Sequence, residues 1–170
     1  LNAYTPTNSD MLVIKLNSSG NVAWYTFFGT ANYDIVNSIQ QTKDGGYIIG
    51  GGAGDPITTL QGIAPLNSFS NYIDMLIIKL TSSGAVSWYT FLGGTGTDVA
   101  KSLRQTGDNG YIVTGYTTDA VIVTGKTPIN PRVGIAPDQD IIVAKLTSSG
   151  NVDWYTFLGS TSDDVAYSIQ

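Results

Sequence analysis

The segment DMLIIKLTSSGAVSWYTFLG, from Asp74 to Gly93, has near-copies beginning at Asp10 and at Asp140. Anchoring on Trp24, Trp88 and Trp154 gives periods of 64 and 66 residues, and Gly20/Gly84/Gly150, Gly29/Gly93/Gly159 and Asp34/Asp98/Asp164 keep the same spacing. A register held over a full period marks a tandem repeat, whose units are too small to bury their own faces and must stack on one another. The chain holds about 2.6 such units, and both ends read as cut from a longer array. Features that recur in every copy are explained first by what each unit needs to fold. Function is therefore sought where the copies differ.

Within a unit the hydrophobic spacing is that of strands. Residues 11–16 form a short apolar run rich in branched side chains, long enough for a strand covered on both faces. The turn Asn17-Ser18-Ser19-Gly20 reverses the chain, and residues 22–28 alternate aromatic with small or polar side chains, completing an antiparallel hairpin. A more polar third run follows at 35–42, in which alternation places Ile35, Asn37, Ile39 and Gln41 on one face. The turn signal Lys43-Asp44-Gly45-Gly46 leads to a fourth run at 47–51. The next copy repeats these at 99–106 and 111–115. No stretch shows capped helical periodicity, so the expected fold is all-β: four-stranded antiparallel units of about 65 residues, stacked radially as the blades of a β-propeller. The boundaries this predicts are a partial blade at 1–34, full blades at 35–98 and 99–164, and the first strand of a further blade at 165–170.

Composition removes much chemistry. His and Cys are absent and every one of the thirteen acidic residues is Asp. A Ser/His/Asp triad, a Cys nucleophile, a thiolate zinc site and a disulfide are therefore excluded. A net charge of −5, with eight scattered Lys and Arg, argues against nucleic acid or an anionic membrane, which need a basic stripe. No apolar run reaches the 18 residues of a membrane span. The richness in Asn, Ser, Thr and Gly leans towards an extracellular surface.

Three phrases carry a family resemblance: FLGGTGTDVAKSL at 91–103, DNGYIVTGY at 108–116 and DIIVAKLTSSG at 140–150. Together they resemble the bacterial and archaeal propeller repeat called SBBP, and also the SIQQTxDGGYIVAG…VVKLxxxGxxxW repeats of secreted surface proteins. The resemblance covers the whole chain in register. It implies a propeller, export to the cell surface and a non-catalytic role. One departure is Gln40, Gln41 and Arg104 on the inner strands, where many relatives carry small apolar residues.

Trp24, Trp88 and Trp154 could stack on sugars, but recurrence at one position favours a wedge between blades. Lys15, Lys79 and Lys145 sit inside apolar strands and are expected to reach a strand end or pair with a recurring Asp. Asp34, Asp98 and Asp164 close the connection into each inner strand. Ca²⁺ is the ion such oxygen-rich loops would suit, yet no loop has the D-x-D-x-D-G pattern. These Asp residues are read as turn caps, with no metal or other cofactor required.

The copies differ in two connections of about 20 residues, 53–73 and 117–139, a length usually tied to function. Both are expected on one face of the propeller, the same face as the Asp-bearing connections. The candidate ligand or partner residues there are Asp55, Asn67, Phe69 and Tyr72 from the first, and Tyr116, Asp119, Arg132 and Asp138 from around the second. The expected function is a non-enzymatic extracellular structural or adhesion scaffold. Its partners would be further blades, from the same or identical chains, closing a ring or running on as a filament, with a glycan or protein at the loop face. The alternatives are a lectin-like carbohydrate-binding propeller and a non-catalytic part of a larger secreted enzyme.

Overall fold

The computed structural model describes residues 9–118, 123, 126–133 and 137–170. It contains ten strands, and no helix is present among the described residues. They are β1 Met11–Leu16, β2 Val22–Phe28, β3 Asp34–Gln41, β4 Tyr47–Ala53, β5 Asp74–Leu80, β6 Val86–Leu92, β7 Asp98–Gln105, β8 Tyr111–Thr117, β9 Asp140–Leu146 and β10 Val152–Leu158. Every sheet is antiparallel. The first pairs β1 with β2, the second runs β3-β4-β5-β6 and the third runs β7-β8-β9-β10. The sheets do not close on one another.

Period-2 alternation sends the side chains of β5 in two directions. Leu76, Ile78 and Leu80 pack with Met11, Val13 and Phe28 of the first sheet, whereas Met75 and Ile77 pack with Leu103, Val113 and Ile142 of the third. The middle sheet is thus buried on both faces, and all seven residues of β5 are buried. The first sheet shows what happens without a second neighbour. Leu12, Ile14, Leu16, Val22 and Tyr25 are 43–57% exposed, while the residues 64 positions later, Leu76, Ile78, Leu80, Val86 and Tyr89, are at most 6% exposed.

The contacts between sheets recur. Trp24 meets the Tyr47 ring edge-on at 5.5 Å and Trp88 meets Tyr111 at 5.6 Å, so each tryptophan is a wedge against the following sheet. The same indoles lie over the next turn glycine: a Cβ on Gly84 would stand 3.0 Å from Trp24, and one on Gly150 would stand 2.6 Å from Trp88. Those glycines also hold φ of +84° and +85°, which L side chains rarely adopt. The strand lysines find partners at the strand end. Lys79 Nζ pairs with Asp44 and Lys145 Nζ with Asp108, each at 2.8 Å and each also donating to a backbone carbonyl. Lys15 donates to the Tyr47 hydroxyl and lies 5.1 Å from the centre of that ring.

Two local departures from simple alternation matter. The β3–β4 ladder slips at Asn37 and the β7–β8 ladder at Lys101, one bulge in each inner strand. The slip breaks the face expected to hold Ile35, Asn37, Ile39 and Gln41 and turns Ser38 and Gln40 towards the third sheet. There Ser38 Oγ accepts from Leu103 N–H at 3.3 Å and Gln40 Oε1 from Gln105 N–H at 2.7 Å. With Asn37 Nδ2 donating to Ala100 O at 2.8 Å, the polar residues of this inner strand serve backbone groups of the neighbouring one. Residues 165–170 join no ladder, but Ile169 N–H reaches Ser102 Oγ at 3.3 Å, repeating the Leu103–Ser38 contact one period later.

The long connections cover sheet edges. Leu66 N–H donates to Tyr89 O at 2.9 Å and Asn67 O accepts from Phe91 N–H at 3.2 Å; Ile129 and Asn130 do the same along β10 at 2.9 and 3.2 Å. An outer strand left bare would offer unpaired groups to any passing chain. Buried Tyr89 fastens the loop from inside, its hydroxyl donating to Ile57 O at 3.0 Å, and burial pushes that phenol up to about 12.

Candidate functional site

The starts of β3, β5 and β7 and the ends of β4, β6 and β8 lie at one edge of the sheets, since Asp34 pairs with Ala53, Ala53 with Asp74, and Asp98 with Thr117. Two arrangements of polar residues form along this edge.

The first is a groove of about 550 Å³ lined by Asn32, Tyr33, Asp55, Phe69, Asn71 and Tyr72, among others. It unites three of the residues expected at the partner face, Asp55, Phe69 and Tyr72, with three that sequence reasoning did not single out. Phe69 is its floor, packed edge-on against Phe91 at 5.6 Å. Tyr33 and Tyr72 are its exposed rings, at 54% and 66%. Tyr72 also stands at φ +60°, uncommon for a bulky residue and the kind of backbone cost found at binding sites. Asn71 holds it there by accepting the Tyr72 N–H at 3.0 Å. Two open aromatic faces beside a carboxylate and two carboxamides can stack on and hydrogen-bond a polyhydroxylated ligand.

The remaining expected residues lie elsewhere. Asn67 spans the covered edge of β6, its amide donating to Thr90 Oγ1 at 2.9 Å. Tyr116 lies on β8 with Lys101 5.4 Å from its ring centre. Arg132 pairs with buried Asp140, Nε to Oδ2 2.7 Å, and also reaches the Asp138 carbonyl. Asp119 lies outside the described residues.

The second arrangement runs along the junctions between sheets. Asp34, Asp98 and Asp164 each accept the N–H of the residue four before: Thr30 at 2.6 Å, Gly94 at 3.0 Å and Ser160 at 2.6 Å. Their own N–H groups donate to Ser9, Ile73 and Gln139 of the preceding loop at 3.0, 2.7 and 2.6 Å. That is turn-capping geometry, and it ties each inner strand to the sheet before it. What single loops could not reveal is a second carboxylate at each junction. Asp10, Asp74 and Asp140 recur in the same register, and their Oδ1 atoms stand 2.1, 2.3 and 2.1 Å from where a Cβ on Gly29, Gly93 and Gly159 would be. At Gly93 the Asp98 Oδ2 approaches the same point at 2.8 Å. Only glycine leaves room for the carboxylates there.

Asp74 and Asp98 are fully buried. Burial is the main reason the Asp74 carboxyl is pushed up to about 6, against the lowering effect of the Ser70 and Asn71 N–H groups. Asp34 is raised in the same direction, chiefly by burial and in part by Asp10. A carboxyl raised on folding favours the folded state below its ordinary value near 3.8 and gives that contribution up as pH rises through about 6. Exposed Asp44 behaves oppositely. Lys79 holds it down at about 2, so its small contribution is present above about 4 and fades as pH falls towards 2. Among the described residues no three acidic side chains converge.

No protein-family model matches the chain, and no curated protein matches it.

Proposed function

We propose that this chain is a run of β-propeller blades in an extracellular, non-catalytic scaffold that holds a partner at its loop face. The observation that carries this reading is the division of labour along the chain. Contacts that recur with the period join one sheet to the next, whereas the groove beside Tyr72 is built from the connections, where the copies differ. Further sheets, from the same or identical chains, would cover Leu12, Ile14 and Tyr25 as Leu76, Ile78 and Tyr89 are covered, and would close a ring or extend a filament.

Glycan binding is a second reading, favoured by the exposed rings of Tyr33 and Tyr72 beside Asn32, Asn71 and Asp55. A glycan array probed with the parent chain and with Tyr72→Ala separates the two. Binding of a defined glycan that weakens at least about tenfold in the variant, the effect of losing roughly 1.4 kcal/mol, establishes the lectin-like reading. An array without signal leaves a protein partner, and the same variant then serves as the control in adhesion to intact cells.

A further inference from the structure

We propose that the first sheet takes up a β-hairpin of the β3–β4 kind from another chain of the same repeat, laid along the outer edge of β1 and over the face of β3. Among the described residues β1 pairs with β2 alone. The corresponding strands β5 and β9 are paired on both edges, β5 with β4 and β6, β9 with β8 and β10. An open strand edge presents a row of backbone donors and acceptors that an extended segment can complete. The second sheet marks the same place independently. Leu103 of β7 is fully buried, and β4 is what covers it, since a Cβ on Gly50 would stand 2.6 Å from its side chain. Ile39 of β3, 64 positions earlier, is 49% exposed.

The recurring contacts specify the occupant. Carried back one repeat, the β4–β5 register sets an incoming Tyr47 opposite Leu16, Ile49 opposite Ile14 and Ala53 opposite Asp10. The close approach at Gly50 calls for a small residue over Ile39. Lys15 calls for a carboxylate at the strand end: Lys79 and Lys145 pair at 2.8 Å with Asp44 and Asp108 of the turns before β4 and β8, whereas Lys15 donates to the Tyr47 hydroxyl. In the hairpin's other strand Ser38 and Gln40 would meet the N–H groups of Ile39 and Gln41, as they meet those of Leu103 and Gln105 between the second and third sheets. The proposal rests on reading the chain as a run of blades. It adds to that reading a contact made by edge pairing, separate from the covering of the open face of the first sheet.

The test uses the 170-residue chain with a synthetic peptide of residues 34–53 as the probe; the chain has no cysteine, so an introduced thiol is unique. The chain carries Ile14→Cys, at a side chain 48% exposed. Under mild oxidation it is expected to join the peptide carrying Ile49→Cys, because opposed Cα atoms of an antiparallel pair lie about 4.5–5.5 Å apart and a disulfide spans about 4.4–6.8 Å. The peptide carrying Ile48→Cys should not join it, since a one-residue slip turns the thiol to the other face. A second readout needs no thiol: the unmodified peptide at ten times its Kd should raise the melting temperature of the parent chain by about 3–6 °C. Equal joining of the two peptides, or neither joining nor a shift, overturns the proposal. So do Ile14→Cys chains that link to one another in preference to the peptide, because β1 edges of two copies then pair. If the peptide fails while the mass of the chain still rises with concentration, the hairpin is lost and the stacking of sheets stands; failure of both removes the blade reading itself.

Discussion

Gly115→Ala should destabilise the chain by about 3 kcal/mol, at the upper end of overpacking effects, lowering the melting temperature by about 6–12 °C. The reason lies in the bulge at Lys101. Where β7 gains an extra residue its backbone swings towards β8, and a Cβ on Gly115 would stand 1.9 Å from Val99 O and 3.0 Å from Lys101 N. Both are backbone atoms of β7, so neither can step aside as a side-chain tip would. Gly51, opposite the Asn37 bulge, meets Ile35 O at 1.8 Å and should respond alike. Gly107 supplies the comparison. A Cβ there meets nothing within 4 Å, so Gly107→Ala should change stability by less than about 0.5 kcal/mol. Thermal unfolding of the three variants side by side checks the account, and an equal response at Gly107 and Gly115 would contradict it.

Trp88→Ala should cost about 3–5 kcal/mol, the range for removing a buried large aromatic, or a fall of about 6–20 °C in melting temperature. Trp88 is 8% exposed, and its indole is closed in by Tyr111 on one side and by the Gly150 turn on the other. Trp154 holds the same place in the third sheet, where no following sheet covers it, and it is only half-buried. Trp154→Ala should therefore cost less than half as much. The contrast is informative because both residues open the same phrase WYTFLG and only Trp88 has a following sheet against it. If both substitutions cost the same, the wedge contact contributes little. If Trp88→Ala leaves the melting temperature unchanged, the tryptophans must be reconsidered as ligand-stacking residues.

The strands and the wedge role of the tryptophans were legible because recurrence at fixed spacing reports directly on what each unit must bury. Strand ends were less so: β4 and β8 run on to Ala53 and Thr117, past the small residues that read as their close, since those glycines fit beneath the bulges of the inner strands. The bulges themselves leave no mark in a hydrophobic pattern, which is why simple alternation put Ile35, Asn37, Ile39 and Gln41 on one face. Asp74 was visible as the first residue of the repeated phrase, and its partnership with Asp98 was not, because the two approach each other only across Gly93. The connections hid a repeat of their own. Pro65-Leu66-Asn67 and Pro128-Ile129-Asn130 lie 63 residues apart, out of step with the tryptophans, and both lay their Asn along the edge of an outer strand. In the groove, Phe69 and Tyr72 could be picked out as aromatics in an irregular segment. Tyr33 could not, since it arrives from a different connection.

The central claim is that the open face of the first sheet is built to be covered by another sheet of the same kind. Its most direct test is the molar mass of the 170-residue chain in solution, measured by light scattering or sedimentation over a range of concentrations. The expected result is a mass above that of one chain, rising with concentration and falling towards the monomer when Leu12 and Ile14, 43% and 48% exposed, are both changed to Ser. A monomer at every concentration, with a single sharp thermal transition that the two substitutions leave unmoved, would contradict the claim.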